Sequence, residues 1–312
     1  MSNWLNLHFL TLLLAAVFVV LYAASPRNPR RAFAYLRLVL LGVATMLVLA
    51  PFVWLIAAAF KDSTVLNEYI FFPPLSDWSA ETVNLKNFAQ LFAGRQSLQG
   101  KVHFWQYALN SVFLATTTTI VQLFFSSLTG YALAKFDFKG KSLVTLFMLG
   151  SMMIPYMVLL APIYKMMVLV GGVDSYWALI VPGAVSTYGI FLFRQAILSV
   201  PDEMLDAGRI DGCTEFQIYW RLVMPLVRPM SAAFCLVTFM ASWNSYLFPN
   251  ILLHTREKLT LPIVLNLYIA EYSNQMGVFL AGTLLAIVPP AILFFALQKE
   301  FIGGLTAGAV KG

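Results

Sequence analysis

Charge is what this sequence is short of. Only 11% of its 312 residues are Asp, Glu, Lys or Arg, against 60% hydrophobic. A soluble domain of this length carries about 25% charge, so the chain reads as a polytopic membrane protein. Cysteine is scarce as well: Cys213 and Cys235 are the only two, and they imply no disulfide framework. The three histidines, His8, His103 and His254, are scattered without metal-ligand spacing. No phosphate loop is present, because Gly140-Lys141-Ser142 has Lys135 where the earlier glycine belongs. The net charge of +6 includes no basic cluster interleaved with stacking aromatics, which excludes nucleic acid. Nor does an Asp, Glu, Lys or Arg stand near the middle of any apolar run, where an ion-coupled secondary transporter would place one. No Ser–His pair, carboxylate pair or metal constellation supports an intramembrane enzyme.

What is there is a series of apolar runs long enough to cross a bilayer. They are 5–22, 38–60, 107–134, 143–160, 176–198, 230–248 and 277–297. The expected fold is an all-α polytopic helical bundle with six core transmembrane helices plus one additional N-terminal helix. Met1 to His8 carries no Lys or Arg, whereas Arg27, Arg30, Arg31 and Arg37 follow the first run. A cleaved signal peptide begins with positive charge, so the first run is read as a helix with the N-terminus outside. Residues 1–29 are then an extra helix and basic linker, and 30–312 the transmembrane domain that holds the other six runs. On that topology 13 of the 20 basic residues fall in cytoplasmic segments, in keeping with the positive-inside rule.

Proline and glycine mark the irregular places. Pro155 and Pro162 predict a kink, and Pro182 and Gly189 loosen the following run. A short surface helix is expected over 84–92, an outer turn at Gly171–Asp174, and an outer loop over 250–276. Gln122, Ser126 and Thr129 share one face and suit interhelical hydrogen bonds.

The polar exception is Pro201–Pro229, with five of the chain's fourteen acids: Asp202, Glu203, Asp206, Asp211 and Glu215. It reads as a helix–glycine–helix knob. Ser199 is the expected cap of the first helix, with Pro201 in its first turn. Val200, Met204, Ala207 and Gly208 form the expected stripe. Gly212 ends that helix as a left-handed glycine. Thr214 and Gln217 have capping-box spacing, Phe216, Tyr219, Trp220 and Val223 share a face, and Pro225 is the expected stop.

The pattern resembles the EAA loop of binding-protein-dependent ABC importers: E-A-A, three residues, Gly, then nine residues and I-x-L-P. Asp206-Ala207-Gly208 stands where E-A-A belongs, Gly212 is the loop glycine, and Leu222, Met224 and Pro225 occupy the far end. Asp206 for Glu and Gly208 for the second Ala depart from the pattern. Phe136–Lys141, Trp243-Asn244 and the ending Phe301–Gly312 are similar to the second permease subunit of the maltose-type importers. The resemblance implies a carbohydrate permease without catalysis or cofactor of its own. ATP and Mg would sit on two cytoplasmic ATPase subunits, beside a second permease and an external substrate-binding protein. It implies a multi-pass protein of the cell inner membrane with a cytoplasmic C-terminus. The coupling loop would be 199–229, with Glu203, Asp206, Ala207, Gly208, Asp211, Gly212 and Pro225 facing or shaping the ATPase contact. The tail from Gln298 would be cytoplasmic, disordered alone and packed on the ATPase dimer.

A small-polar stripe runs along the sixth run: Ser231, Cys235, Thr238, Ser242 and Ser245. It either packs a helix or lines a wet pathway. Trp243, Asn244 and Tyr246 at its end suit a sugar, and equally an interfacial aromatic belt. Pathway candidates are therefore Thr238, Ser242, Trp243, Asn244, Ser245 and Tyr246. A non-transporting receptor or assembly protein is the remaining alternative to a transporter.

Overall fold

The computed structural model describes residues 30–97, 100–270 and 275–309, with a few isolated positions before residue 30. The expected first crossing, 5–22, lies almost wholly outside the described residues. The described chain is mostly helical, with one small antiparallel hairpin, β1 (Arg95–Ser97) with β2 (Gly100–Val102).

Helix α1 (Arg30–Phe60) starts a full two turns before the expected Leu38 and runs through Pro51. Leu38, Met46 and Leu47 each stand more than 70% exposed along it. Such a surface is unfavourable in water and suits hydrocarbon. The short α2 (Lys86–Phe92) confirms the expected surface helix. Its Asn87 side chain donates to the carbonyls of Ala59 and Lys61, stitching it to the end of α1.

The longest helix, α3 (Phe104–Lys135), has 32 residues. At 1.5 Å per residue it is about 48 Å long, more than the roughly 30 Å hydrocarbon thickness. After it come α4 (Lys141–Ser151) and α5 (Leu160–Leu169). The chain turns by 93° between them. Pro155 is the cause: it is extended, at φ −62° and ψ 125°, and cannot continue the helical ladder. The kink expected from the prolines is therefore a right-angled break. The expected crossing at 176–198 is interrupted too. It consists of α6 (Trp177–Ile180), a non-helical stretch holding Pro182, and α7 (Thr187–Leu198).

Next come α8 (Asp202–Ile210) and α9 (Glu215–Leu226), then α10 (Arg228–Trp243), set at 83° to α9. The expected outer loop 250–276 is more ordered than its composition suggests. It contains part of α11 (Leu247–Leu252) and all of α12 (Leu261–Ala270), whose Leu261, Ile263, Val264 and Tyr268 are buried. The last pair is α13 (Met276–Ala286) and α14 (Val288–Ala309). Among the described residues, three helices are long and apolar enough to cross a membrane, or up to five counting bent pairs. The backbone of the expected tail is no separate segment. It continues α14 to Ala309, since extending an existing helix needs no new nucleus even with glycines present.

α3 is the spine, packing most extensively on α7 and α10. Close approach explains Gly189, where a Cβ would sit 2.6 Å from the Phe234 ring. Two interhelical hydrogen bonds expected of α3 are present. Gln122 donates to Gly183 O at 2.6 Å, and Ser126 to Ser186 O at 3.2 Å. At the end remote from the α8–α9 knob, Asp174 fixes the outer turn with φ 62°. Its carboxylate accepts from the backbone N–H groups of His254 and Thr255 and from the Lys258 ammonium. Burial there favours the neutral acid, yet these hydrogen bonds outweigh it and hold the carboxyl well below its usual range.

Candidate functional site

The knob is built by local rules at its second helix. Thr214 Oγ1 accepts from Gln217 N, and the Gln217 side chain accepts from Thr214 N, completing the capping box. Gly212 sits at φ +80° with open space around its missing Cβ, so backbone conformation alone demands glycine.

Four knob expectations need correction. Pro201 is itself the N-cap of α8, and Ser199 turns back to donate to Ala196 O on the preceding helix. The buried stripe of α8 is Val200, Leu205 and Gly208; Met204 and Ala207 are exposed. A Cβ on Gly208 would lie 3.0 Å from Leu222 Cδ1, so this small residue admits the knob's own second helix. On α9, Tyr219 and Val223 are fully buried with Ile218, while Phe216 and Trp220 stand more than half exposed. The face moves because Tyr219–Val223 forms a π-turn, which shifts the register. Pro225 does not stop the helix. It lies inside α9, which ends one residue later at Leu226, with Val227 as its C-cap.

The knob is bolted to α3 by three side chains one helical turn apart, Ser127, Tyr131 and Lys135. Ser127 gives its hydrogen to Leu123 O at 2.6 Å, so the Tyr219 hydroxyl 2.7 Å away is the donor between them. Tyr131 donates to Glu215 Oε2 at 2.8 Å. Lys135 donates to Val200 O and, at 2.6 Å, to Asp202 Oδ1. Its side chain is only 6% exposed. The Lys135 hydrogen bond lowers the Asp202 pKa. Glu215 is lowered chiefly by Arg209, then against burial by Tyr131.

Arg209 bridges the two knob helices, binding Asp206 at 2.6 Å and Glu215 at 2.8 Å. Asp206 thus has a partner within the chain. Glu203 and Ala207 on α8, and Asp211 at its C-cap, are exposed and available to another protein. The ladder escaped sequence reading. Its one signal was the Ser127–Tyr131–Lys135 spacing, and nothing in the sequence pairs it with a segment so far along the chain.

α3 also walls a cavity of about 570 Å³. From α3 come Ser111, Thr118 and Gln122; from α10 and its end come Thr238, Ser242, Asn244, Ser245 and Tyr246. Tyr156, Ser186, Tyr188 and Thr260 complete its polar wall. Thus the far half of the small-polar stripe opens to a cavity. Ser231 lies outside it and donates to Val227 O within the helix. Trp243 does not line the cavity either. It is buried and stacked on Phe239, with centroids 5.8 Å apart and planes at 11°. No group of three metal-ligating residues occurs among the described residues.

A family model for the inner membrane component of binding-protein-dependent transport systems matches residues 123–301, which contain the knob and its ladder. The chain is 38% identical over 265 residues to the arabinooligosaccharides transport system permease protein AraQ of Halalkalibacterium halodurans, covering 84% of this chain and 91% of that protein. Against AraQ of Bacillus subtilis it is 39% identical over 236 residues, 76% and 82% of the two chains. Against the lactose transport system permease protein LacG of Rhizobium radiobacter it is 32% identical over 272 residues, 87% and 94%. A solved bacterial ABC transporter involved in import of the acidic polysaccharide alginate shares the fold, with TM-score 0.73 and 22% identity over 87% of this chain and 97% of that one.

Proposed function

The chain belongs to the family of binding-protein-dependent transport system inner membrane components, and from that membership we propose that it is a permease subunit of a carbohydrate ABC importer. Such permeases are transport subunits, so this chain holds no catalytic group. ATP and Mg are bound by two cytoplasmic ATPase subunits, and a second permease completes the pathway. An external binding protein delivers the sugar. The sugar assignment rests on the kinship with arabinooligosaccharide and lactose permeases.

The observation that carries this reading is that one helix, α3, bears both the knob's ladder and a wall of the cavity. A force applied to the knob reaches the pathway through a single rigid element. The exposed α8 face, with Glu203, Ala207 and the C-cap Asp211, docks on the ATPase, and Gly212 and Pro225 set the shape of the knob. Closure of the ATPase dimer on ATP displaces α8–α9. Ser127, Tyr131 and Lys135 carry α3 with it, and the cavity changes the side to which it opens. In this reading residues 30–312 are the transport domain, 1–29 add a helix with its N-terminus outside, and the knob and residues 298–312 face the cytoplasm.

The test is co-purification with the ATPase combined with uptake. Asp206→Lys and Gly212→Val should leave membrane insertion intact and release or uncouple the ATPase. Asp206→Lys does so by repelling Arg209 and any basic partner; Gly212→Val does so through backbone shape. If both variants hold the ATPase and transport at the wild-type rate, the knob is not the coupling element.

A further inference from the structure

Among the described residues, the cavity beside α3 has no Asp, Glu, Lys, Arg or His in its lining. Its volume, about 570 Å³, falls within the range of small-ligand pockets, roughly 300–1,000 Å³. Its polar groups are hydroxyls and amides, and several are unspent. Thr118, Thr238, Ser242, Asn244 and Ser245 make no side-chain hydrogen bond among the described residues, while Gln122 gives its amide hydrogen to Gly183 O and keeps its carbonyl. Thr260 also borders the cavity, but its hydroxyl oxygen is itself buried without a partner and does not open to it, so the groups a ligand can reach are the unspent Thr, Ser, Asn and Gln groups. Tyr156, Tyr188 and Phe248 add aromatic surface.

We propose that this cavity is a saccharide subsite of this chain itself, and that it accepts uncharged sugars and rejects acidic ones. Resting on the importer reading, this goes further by naming the class of sugar and the residues that choose it. A neutral sugar offers hydroxyls that both donate and accept, which matches Thr, Ser, Asn and Gln side chains. Its C–H faces match the aromatic rings. A uronic acid carries a carboxylate that must shed water and would find no cation in this wall. Desolvating an unpaired ion costs several kcal/mol, which corresponds to a discrimination on the order of 100-fold or more. The fold neighbour that imports acidic alginate therefore does not predict the cargo here.

The test uses the complete importer, this chain with the permease and ATPase that purify with it, in detergent without binding protein. Labelled arabinotriose is the neutral probe and trigalacturonate the acidic competitor of similar size. Arabinotriose should bind, and trigalacturonate should compete at least about 100-fold more weakly. Thr118→Val and Thr238→Val remove one cavity hydroxyl each at nearly constant volume, and each should weaken arabinotriose about 3–10-fold. Ser242→Lys supplies a cation and should strengthen trigalacturonate relative to arabinotriose. Competition by trigalacturonate at equal concentration, or arabinotriose binding indifferent to both valine variants, overturns the subsite and leaves the importer reading standing. A complex that neither binds nor carries any neutral or acidic saccharide, yet still couples ATP hydrolysis to uptake of another solute, overturns the carbohydrate reading and the subsite together.

Discussion

Tyr131 donates its phenolic hydrogen to Glu215 across 2.8 Å, joining the spine helix to the first turn of the knob's second helix. Glu215 is held from its other side by Arg209, which also holds Asp206. One carboxylate therefore receives both a membrane helix and the partner helix of the knob. A double-mutant cycle on Tyr131→Phe and Glu215→Gln should give a coupling of about 1–3 kcal/mol in unfolding stability, as for hydrogen bonds to charged groups. Additive single effects would show that the two side chains do not act together.

The two knob glycines should respond differently. At Gly212 the φ of +80° penalises any β-branched residue by about 1–2 kcal/mol, while asparagine is tolerated. At Gly208 the backbone is helical, and a methyl group would meet Leu222 Cδ1 at 3.0 Å and the buried Ile218 Cγ1 at 3.3 Å, so both side chains must give by a few tenths of an ångström. Gly208→Ala should stay within about 1 kcal/mol of wild type, the gain in helix propensity offsetting the small repacking of Leu222 and Ile218. Thermal unfolding of the purified chain measures both, and a strongly destabilised Gly208→Ala would contradict the packing described.

In α10, neighbouring residues should fail differently. Trp243 is buried against Phe239, away from the cavity, so Trp243→Ala should cost stability, about 3–5 kcal/mol. Thr238 and Ser242 line the cavity, and Thr238→Trp or Ser242→Trp should slow uptake while the protein still assembles. Yield of the folded complex and uptake on the same preparations separate the two. Loss of assembly in the cavity variants would assign the stripe to helix packing.

The sequence told most where local chemistry decides the structure. Gly212, the Thr214–Gln217 box, the short helix at 86–92 and the break near Pro155 all follow from backbone rules within a few residues. It told least where the π-turn at Tyr219–Val223 rotates a predicted face, or where Pro225 is absorbed inside a helix. Periodicity assumes an unbroken 3.6-residue repeat, and one inserted residue defeats it. The helix within the expected outer loop 250–276 escaped because Leu261, Ile263, Val264 and Tyr268 are buried by contacts distant in sequence. The cavity was half legible: Thr238, Ser242 and Ser245 announced themselves by spacing, whereas Thr260 and Ser186 reach it only through tertiary folding.

Acid should loosen the knob. Asp202 and Glu215 both titrate below their ordinary values of 3.8 and 4.5. A carboxyl with a depressed folded pKa contributes stability that is complete above its unfolded value and lost as pH falls through the folded one. Attachment of the knob should therefore be unchanged between about pH 6 and 8 and weaken below about pH 4. Hydrogen exchange over 202–218, referred to intrinsic rates, follows it. Asp202→Asn with Glu215→Gln should remove most of the pH dependence, and an unaltered acid response in that double variant would locate the sensitive groups elsewhere.

The most direct test of knob-to-membrane coupling is the ratio of sugar carried to ATP hydrolysed by the reconstituted importer when the ladder is cut. Tyr131→Phe with Lys135→Met leaves the exposed α8 face untouched, so the ATPase should still bind and hydrolyse. The account predicts that uptake per ATP falls several-fold, by about the factor that one or two hydrogen bonds represent. An unchanged ratio in this variant, with the complex intact, would contradict it.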